Sequence, residues 1–200
     1  MDTPASTSTR QQLLDYAQTL IRTRGSNGFS YRDLAEHVGV KTSSIHYYFP
    51  CKDDLLYEAV EAYSARALQA VRDIDTALPA REQLHAYLSL MESHACASSQ
   101  EMCLGGMLAA EVGSLPERVR GALQGFFRAH EAWIARVLEA GATQGTLKFN
   151  GTPESAARAV FATIQGCLLV SRLFEAPPRL CEAISAIYVQ SQPAGGTPAG

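Results

Sequence analysis

The sequence lacks the features that mark several classes of protein. It has no run of about eighteen apolar residues free of charge, which a membrane-spanning helix would need. Residues 1–10 are small and polar, so no secretory signal is predicted there, and we expect a cytoplasmic protein without a membrane partner. Extended alternating runs of valine, isoleucine and threonine are also missing, which argues against a sheet-based fold.

Motifs of the common catalytic and metal sites are missing as well. The sequence has no glycine-rich phosphate loop and no HExxH pattern. Its five cysteines are irregularly spaced and form no CxxC pair, so we expect free thiols, no metal and no cofactor. A metal site from His94, Cys96 and Cys103 lacks the i, i+4 spacing of a helical ligand pair. The alternative of a cysteine-dependent enzyme has no supporting spacing or turn motif.

The charges that are present are unevenly distributed along the 200 residues. The chain is 46% hydrophobic and 18% charged, which is enough apolar material for a substantial core. The net charge of −3 is unfavourable for binding nucleic acid. However, residues 1–52 contain six lysines and arginines against four acidic residues, whereas the remainder contains eleven against sixteen. A basic head on an acidic body has the sign expected for a protein that binds DNA through its N-terminal part.

Apolar residues recur at helical spacing along nearly the whole chain, which predicts an all-α fold. The first predicted helix spans residues 9–24 and ends at Gly25. The second begins after Ser30, with Asp33 supporting its start, and ends at Gly39. Thr42 or Ser43 caps a short third helix, which Pro50 ends. Further helices are predicted over residues 52–78, 80–97, 103–112, 116–141, 152–175 and 179–192. Pro116 is expected in the first helical position of its helix.

Residues 30–49 have the layout of a helix-turn-helix. Two short helices that cross steeply need small and medium apolar residues at their contact, and the turn needs a residue that tolerates positive φ, which Gly39 provides. The second helix must expose small hydrogen-bonding side chains at its N-terminal end, where phosphates and base edges are met. The contact residues are Ala35, Val38, Val40 and Ile45, and the exposed ones are Thr42, Ser43 and Ser44.

The run from Gly39 and Val40 through Ser44-Ile45-His46-Tyr47-Tyr48-Phe49-Pro50, followed by Lys52 and Leu55-Leu56, resembles the signature of the TetR family of repressors. The resemblance covers about residues 9–63. It implies a three-helix DNA-binding domain over residues 7–67 and a helical bundle for dimerisation and sensing over 68–192. It also implies a homodimeric regulator of double-stranded operator DNA, usually a repressor, released by a small molecule or by thiol modification. The composition of residues 193–200, rich in proline, glycine and alanine, predicts a disordered tail.

The resemblance also assigns roles to individual residues. Tyr47 and Lys52 correspond to positions that contact phosphates, and Thr42, Ser43 and His46 to positions that reach base edges or phosphates. Cys51 departs from the family pattern, in which a small polar residue or glycine is more usual. The expected DNA contacts are Ser30, Tyr31, Lys41, Thr42, Ser43, Ser44, His46, Tyr47 and Lys52.

The segment from Met102 to Glu111, with Pro116-Glu117-Arg118 after it, resembles the branch of the family that contains the repressor of N-ethylmaleimide reductase. In that branch a cysteine at the start of this helix responds to electrophiles and oxidants. Cys103 follows a polar loop, and a helix N-terminus favours a thiolate. Two alternatives remain open: Cys103 is a small buried residue, or the effector binds non-covalently in a pocket lined by Tyr87, Met91, Met107, Phe126, Phe127, His130 and Trp133.

The last two helices are expected to form the dimer interface. Small residues allow close approach of two helices, and apolar residues fill a self-complementary contact. The alternative is that these residues pack only within one chain. The expected interface consists of Gly166, Cys167, Leu168, Ser171, Ile184, Ile187 and Tyr188.

Overall fold

The structure is a computed structural model that describes residues 8–96, 101–185 and 189–190. Within these residues the chain is almost wholly α-helical, which confirms the predicted fold class. The elements are α1 (Thr9–Arg24), α2 (Tyr31–Val38), α3 (Thr42–Tyr48), α4 (Lys52–Arg72), α5 (Ala80–Cys96), α6 (Leu104–Ala110), a 3-10 turn (Val112–Ser114), α7 (Glu117–Thr143), β1 (Leu147–Lys148), α8 (Pro153–Leu173), α9 (Leu180–Ser185) and β2 (Val189–Gln190).

The chain divides into two compact units that interleave in sequence. One contains Met1–Ala67 and Gln100–Phe126, and the other contains Leu68–Ser99 and Phe127–Gly200. We call them the N-terminal unit and the second unit. The division predicted from the sequence assigns all of 68–192 to the second domain, whereas α6 and the first part of α7 belong to the N-terminal unit.

Two glycines end the first two helices as the sequence predicts. Gly25 has φ +78° and donates its N–H to the Ile21 carbonyl, and Gly39 lies in the left-handed region at φ +77° and ψ 33°. At the start of α2 the Asp33 carboxylate accepts from the hydroxyl and the N–H of Ser30, at 2.7 and 2.8 Å. The same hydrogen bonds, that of the hydroxyl first, lower the pKa of Asp33.

The predicted starts of α3 and α7 were each wrong by one residue. Lys41, rather than Thr42 or Ser43, occupies the N-cap of α3, and no side chain caps this helix. The first helical residue of α7 is Glu117, not Pro116. The Pro116 carbonyl accepts from the N–H groups of Val119 and Arg120, at 3.0 Å each, so this proline is the residue that precedes the helix.

Residues 147–148 and 189–190 pair as two short antiparallel strands, with Leu147 opposite Gln190 and Lys148 opposite Val189. The sequence predicted a loop at the first segment and a continuing helix at the second, and both predictions were wrong here. A two-residue strand is too short for alternation to show in a sequence. Gly141 makes room for β1, because a Cβ there would lie 2.4 Å from Cδ1 of Leu147.

The hydrophobic core of the N-terminal unit is built from α1 to α4, and α6 also contributes to it. Ile45 and Phe49 are completely buried in it, and so are Leu104 and Leu108 of α6. Tyr48 is only partly buried against the same cluster. The short helix α6 packs on α1. The DNA-binding fold predicted for residues 7–67 therefore includes a second, later segment of the chain in its core.

The second unit is built from α5, α8 and α9 with the longer part of α7. The Thr152 hydroxyl caps α8 by accepting from the Ser155 N–H at 3.2 Å, and Pro153 follows in the first turn, as predicted. Helix α9 packs against α5 and α8. By length and mean hydropathy, 1.2 over its most apolar window, α8 would also suit a membrane span, but core helices of soluble proteins pass the same test.

Candidate nucleic-acid interface

The exposed surface of α3 and the residue before it is polar. Ile45 turns into the core, whereas the opposite side of the helix faces solvent. Ser44 is half-buried between these two sides. The exposed predicted contacts are Lys41, Thr42, Ser43, His46 and Tyr47, and Ser30 is exposed at the start of α2.

Among the large apolar side chains described in the N-terminal unit, Tyr47 is the most exposed, at 82%. Its ring lies edge-on to that of Tyr48, with 5.1 Å between the centroids. Because so little of it is buried, Tyr47 contributes little to the core. Its phenol is free to meet a phosphate outside the protein.

The Tyr31 hydroxyl is used within the protein. It donates to the Phe49 carbonyl at 2.8 Å, which ties the first residue of α2 to the end of α3. Burial raises the pKa of Tyr31, and the neighbouring Cys51, Asp54 and Asp53 raise it further, so the phenol stays protonated and keeps donating. Tyr31 thus sets the angle between the two helices.

Lys52 is tethered in a similar way. Its Nζ donates to the Phe29 carbonyl at 2.5 Å and lies 4.3 Å from the centre of the Phe29 ring. Partial burial lowers the pKa of Lys52, while the charges of Glu111 and Asp33 act to raise it. The ammonium group has three donors, so a phosphate contact remains compatible with this tether.

His46 is oriented by the loop after α3. Its Nδ1 lies 3.2 Å from the Pro50 carbonyl, which can only accept, so Nδ1 carries the proton of this hydrogen bond. The ring also lies near that of Tyr31, with 4.9 Å between the centroids. This arrangement leaves Nε2 as the ring nitrogen available to a base edge or a phosphate.

Cys51 is exposed, and its thiol donates to the Asp54 carboxylate at 3.0 Å. That hydrogen bond is the main reason why the pKa of Asp54 is lowered, and the Arg118 guanidinium adds to the effect. Arg118 pairs with Asp54 at 2.9 Å and lies 4.4 Å above the Tyr57 ring. This link between the starts of α7 and α4 was not predicted from the sequence, because it joins residues more than sixty positions apart.

Cys103 occupies the N-cap of α6, as the sequence suggested, and is half-buried. The Tyr63 hydroxyl donates to its sulfur at 3.8 Å, and burial, followed by the neighbouring Cys103, raises the pKa of Tyr63. Next to it, Arg22 of α1 donates to the Met102 carbonyl at 2.9 Å and pairs with Glu101. Cys103 is therefore held by contacts within the N-terminal unit.

The residues of the predicted pocket divide between the two units. Met107 and Phe126 belong to the N-terminal unit, and the other five belong to the second unit. In the second unit the Tyr87 hydroxyl lies 2.9 Å from Nδ1 of His130, and Tyr87 stacks on Trp133 with 5.0 Å between ring centres. Burial lowers the pKa of His130 to about 4, so the imidazole is neutral at pH 7.

The predicted dimer residues fall into three groups. Ile184 is completely buried and Leu168 nearly so in the core of their own unit, so the expectation that they face a partner was wrong. Ile187 and Tyr188 lie outside the described residues. Gly166, Cys167 and Ser171 line a groove of about 420 Å³, together with Thr163, Val170, Phe174, Ala176, Pro177 and Pro178.

The exposure of one part of α8 was also not predicted from the sequence. Its C-terminal half exposes large apolar side chains that the helical pattern did not distinguish from core residues. They are Leu169 (59% exposed), Val170 (50%), Leu173 (77%) and Phe174 (72%).

Comparison with known proteins covers most of the chain. Residues 13–59 match the family described as bacterial regulatory proteins, tetR family, and residues 79–187 match the tetracyclin repressor-like C-terminal domain. The chain is 28% identical over 173 residues to the HTH-type transcriptional repressor NemR of Escherichia coli, spanning 84% of this chain and 87% of that protein. It is 27% identical over 174 residues to the transcriptional regulator AcuR of Cereibacter sphaeroides, spanning 85% and 79%.

The fold agrees with this similarity. A solved TetR-family regulator from Agrobacterium tumefaciens superposes with a TM-score of 0.81 at 32% identity, covering 90% of this chain and 93% of that one. NemR is a repressor of the helix-turn-helix type, and in this chain the exposed polar side chains of α3 are suited to a DNA groove. The chain belongs to the TetR family and is a DNA-binding transcriptional regulator.

Proposed function

We propose that this protein is a cytoplasmic, homodimeric repressor whose two α3 helices bind a roughly palindromic operator. The exposed polar side of α3, with Tyr47 projecting into solvent, carries this proposal. The two recognition helices of such a dimer lie about 34–36 Å apart, one turn of DNA. DNA selection with the purified protein tests it: we expect an enriched palindrome, and enrichment of no sequence would contradict the proposal.

The exposed apolar side chains of α8 support dimerisation. Burying a valine, leucine or phenylalanine side chain contributes about 1.5–3 kcal/mol, so four such side chains in water favour association. In a dimer with two-fold symmetry both copies use the same surface, so the exposed face of α8 in each copy is buried in the interface. We assign this face to a second copy rather than to a bilayer, and Gly166, which is exposed beside it, allows close approach.

An effector that modifies Cys103 is the release mechanism that we propose. The sulfur lies at a helix start, receives a hydrogen bond from Tyr63 and belongs to the unit that binds DNA. A covalent adduct on a half-buried atom has to displace its neighbours, and the nearest of these are in the core of the DNA-binding fold. The competing proposal is a non-covalent effector near the aromatic cluster of Tyr87, His130 and Trp133.

A paired experiment separates these mechanisms. The parent, Cys103→Ser and Cys51→Ser proteins are treated with N-ethylmaleimide, and operator affinity is measured before and after. We expect the parent and Cys51→Ser to release DNA and Cys103→Ser to retain it. If Cys103→Ser releases DNA as readily as the parent, the thiol mechanism fails and the non-covalent effector becomes the better account.

A further inference from the structure

Polar contacts fasten both ends of α6 to the end of α1 and the loop that follows it. At the N-terminal end, Arg22 donates to the Met102 carbonyl, and the Met102 N–H donates back to the Arg22 carbonyl at 3.1 Å. At the other end stands Glu111, the residue that follows α6. All these residues belong to the N-terminal unit.

The Glu111 carboxylate holds the loop after α1. Its Oε2 accepts from the Ser26 N–H at 2.7 Å and from the Ser26 hydroxyl at 2.5 Å, and Ser26 is only 3% exposed. Gly25 is the residue that admits the carboxylate, since a Cβ there would lie 2.3 Å from Oε1. The Glu111 carboxylate can therefore occupy this position only because residue 25 has no side chain.

Glu111 is itself fixed in position. Its carbonyl accepts from the N–H of Ser114 at 2.9 Å and from the Ser114 hydroxyl at 3.0 Å, which closes the 3-10 turn. Asn27 of the loop donates to the Ser114 hydroxyl at 3.3 Å. The loop then continues to Phe29, whose carbonyl receives the Lys52 ammonium, and so reaches the start of α2.

We propose that Glu111 is a positioning residue for specific DNA binding: its carboxylate sets the direction of the helix-turn-helix and transmits changes in α6 to it. The loop that it holds determines how α2 leaves α1, and α2 packs on α3. This inference rests on the proposed function, in which α3 binds the operator and Cys103 receives the effector. Charge alone gives the opposite expectation, because removing an acidic side chain from a DNA-binding unit strengthens phosphate binding.

The experiment compares Glu111→Ala, Glu111→Gln and Glu117→Ala in the full chain. Glu117 is an exposed acidic residue of the same unit, and its ion pair with Arg120 lies at the surface. We expect Glu111→Ala to lower operator affinity about tenfold, the effect of losing roughly one charge-assisted hydrogen bond, without lowering affinity for non-specific DNA. Glu111→Gln recovers most of the operator affinity because its amide oxygen still accepts from Ser26, and Glu117→Ala loses none.

A parent-like operator affinity of Glu111→Ala would overturn the proposal, and so would an equal loss on operator and non-specific DNA. If Glu111→Ala does not fold, Ser26→Ala, which removes only the hydroxyl bond, provides the same comparison: a loss of several-fold confined to the operator is expected, and parent-like binding overturns the proposal.

Treatment with N-ethylmaleimide tests transmission separately. We expect the reagent to lower the operator affinity of the parent at least fivefold and that of Glu111→Ala less than about twofold. The reason is that Glu111→Ala has already lost the contact between α6 and the loop after α1. If Glu111→Ala loses operator affinity as strongly as the parent, changes in α6 reach the helix-turn-helix without Glu111, and the proposed transmission is overturned. If the parent does not respond, the proposed effector mechanism fails, and the affinities without reagent still decide whether Glu111 positions the helix-turn-helix.

Discussion

At the scale of single residues, the predicted DNA contacts separate into exposed and tethered side chains. Tyr47 projects into solvent and contributes little to the stability of the fold. In contrast, the Tyr31 hydroxyl donates a hydrogen bond to the Phe49 carbonyl. The Lys52 ammonium donates one to the Phe29 carbonyl. Substitution of an exposed residue changes DNA binding alone, whereas substitution of a tethered one changes stability as well, because a carbonyl loses its donor.

Tyr47→Phe should weaken binding to operator and non-specific DNA alike, by about tenfold, since it removes one hydrogen bond to a charged phosphate. Its melting temperature should match that of the parent, and so should the dependence of affinity on salt, because no charge is lost. Binding isotherms at several salt concentrations measure both. A change in preferred sequence would show that Tyr47 reads bases.

Lys52→Ala should combine two effects. The slope of log affinity against log salt should fall by about one unit, because one phosphate contact is lost. Unlike Tyr47→Phe, this variant should also melt earlier, because the Phe29 carbonyl loses its partner. An unchanged salt slope with an earlier melt would mean that the lysine serves only the fold.

At the scale of the elements, interactions within a few residues decide where a helix ends, whereas neighbouring helices decide which of its faces is buried. Gly39 ends α2 in a left-handed conformation that a side chain occupies at a cost. The faces of α8 illustrate the other case. Phe161 and Ile164 are buried, and Leu173 and Phe174 of the same apolar stretch are exposed.

Gly39→Ala should lower the free energy of unfolding by about 1–2 kcal/mol, the cost of the left-handed conformation for an L-residue. A Cβ at Gly39 meets nothing within 4 Å, so no clash adds to this cost. Gly121→Ala in α7 is the matched control, since a Cβ there is also unobstructed. It should stabilise by about 0.5–1 kcal/mol through helix propensity. Denaturant titration distinguishes the two signs, and equal effects would contradict the strain argument.

If the proposed dimer forms through α8, Leu173→Asp should give a folded monomer, because a charge on the exposed face of α8 opposes burial against a second copy. Sedimentation at micromolar concentration measures the change, and circular dichroism checks the helix content. Val112→Asp provides the control, since Val112 is 51% exposed and lies in the other unit. A dimeric Leu173→Asp protein would place the interface elsewhere.

At the scale of the whole molecule, stability should depend on pH through His130. Its folded pKa of about 4 lies below the ordinary value of 6.5, so the unfolded state binds the extra proton between these values. Stability is therefore lost as pH falls through this window, by about 2 kcal/mol between pH 7 and pH 5. His130→Gln, which cannot titrate, should show a flatter profile. Thermal unfolding at the two pH values measures the difference, and parallel profiles would contradict the assignment.

The helical class, most helix ends and the place of the helix-turn-helix can be predicted from the sequence alone. These depend on interactions within a few residues: apolar spacing, the capping of α2 by Ser30 and Asp33, and the left-handed Gly39. Phe49, which follows α3 four residues after Ile45, is buried with it, and Tyr47, two residues after Ile45, is exposed on the opposite side of the helix.

Only the tertiary structure decided which segments share a core and which polar groups meet. The link from Glu111 to Ser26 joins residues 85 positions apart, and that from Arg22 to Met102 joins residues 80 apart. Residues so distant come together through packing of the whole chain, to which no local pattern refers. For the same reason α6 belongs with the DNA-binding unit, and Ile184 faces its own core while Leu173 faces solvent: the apolar pattern marks both residues, but the neighbouring helices cover only one.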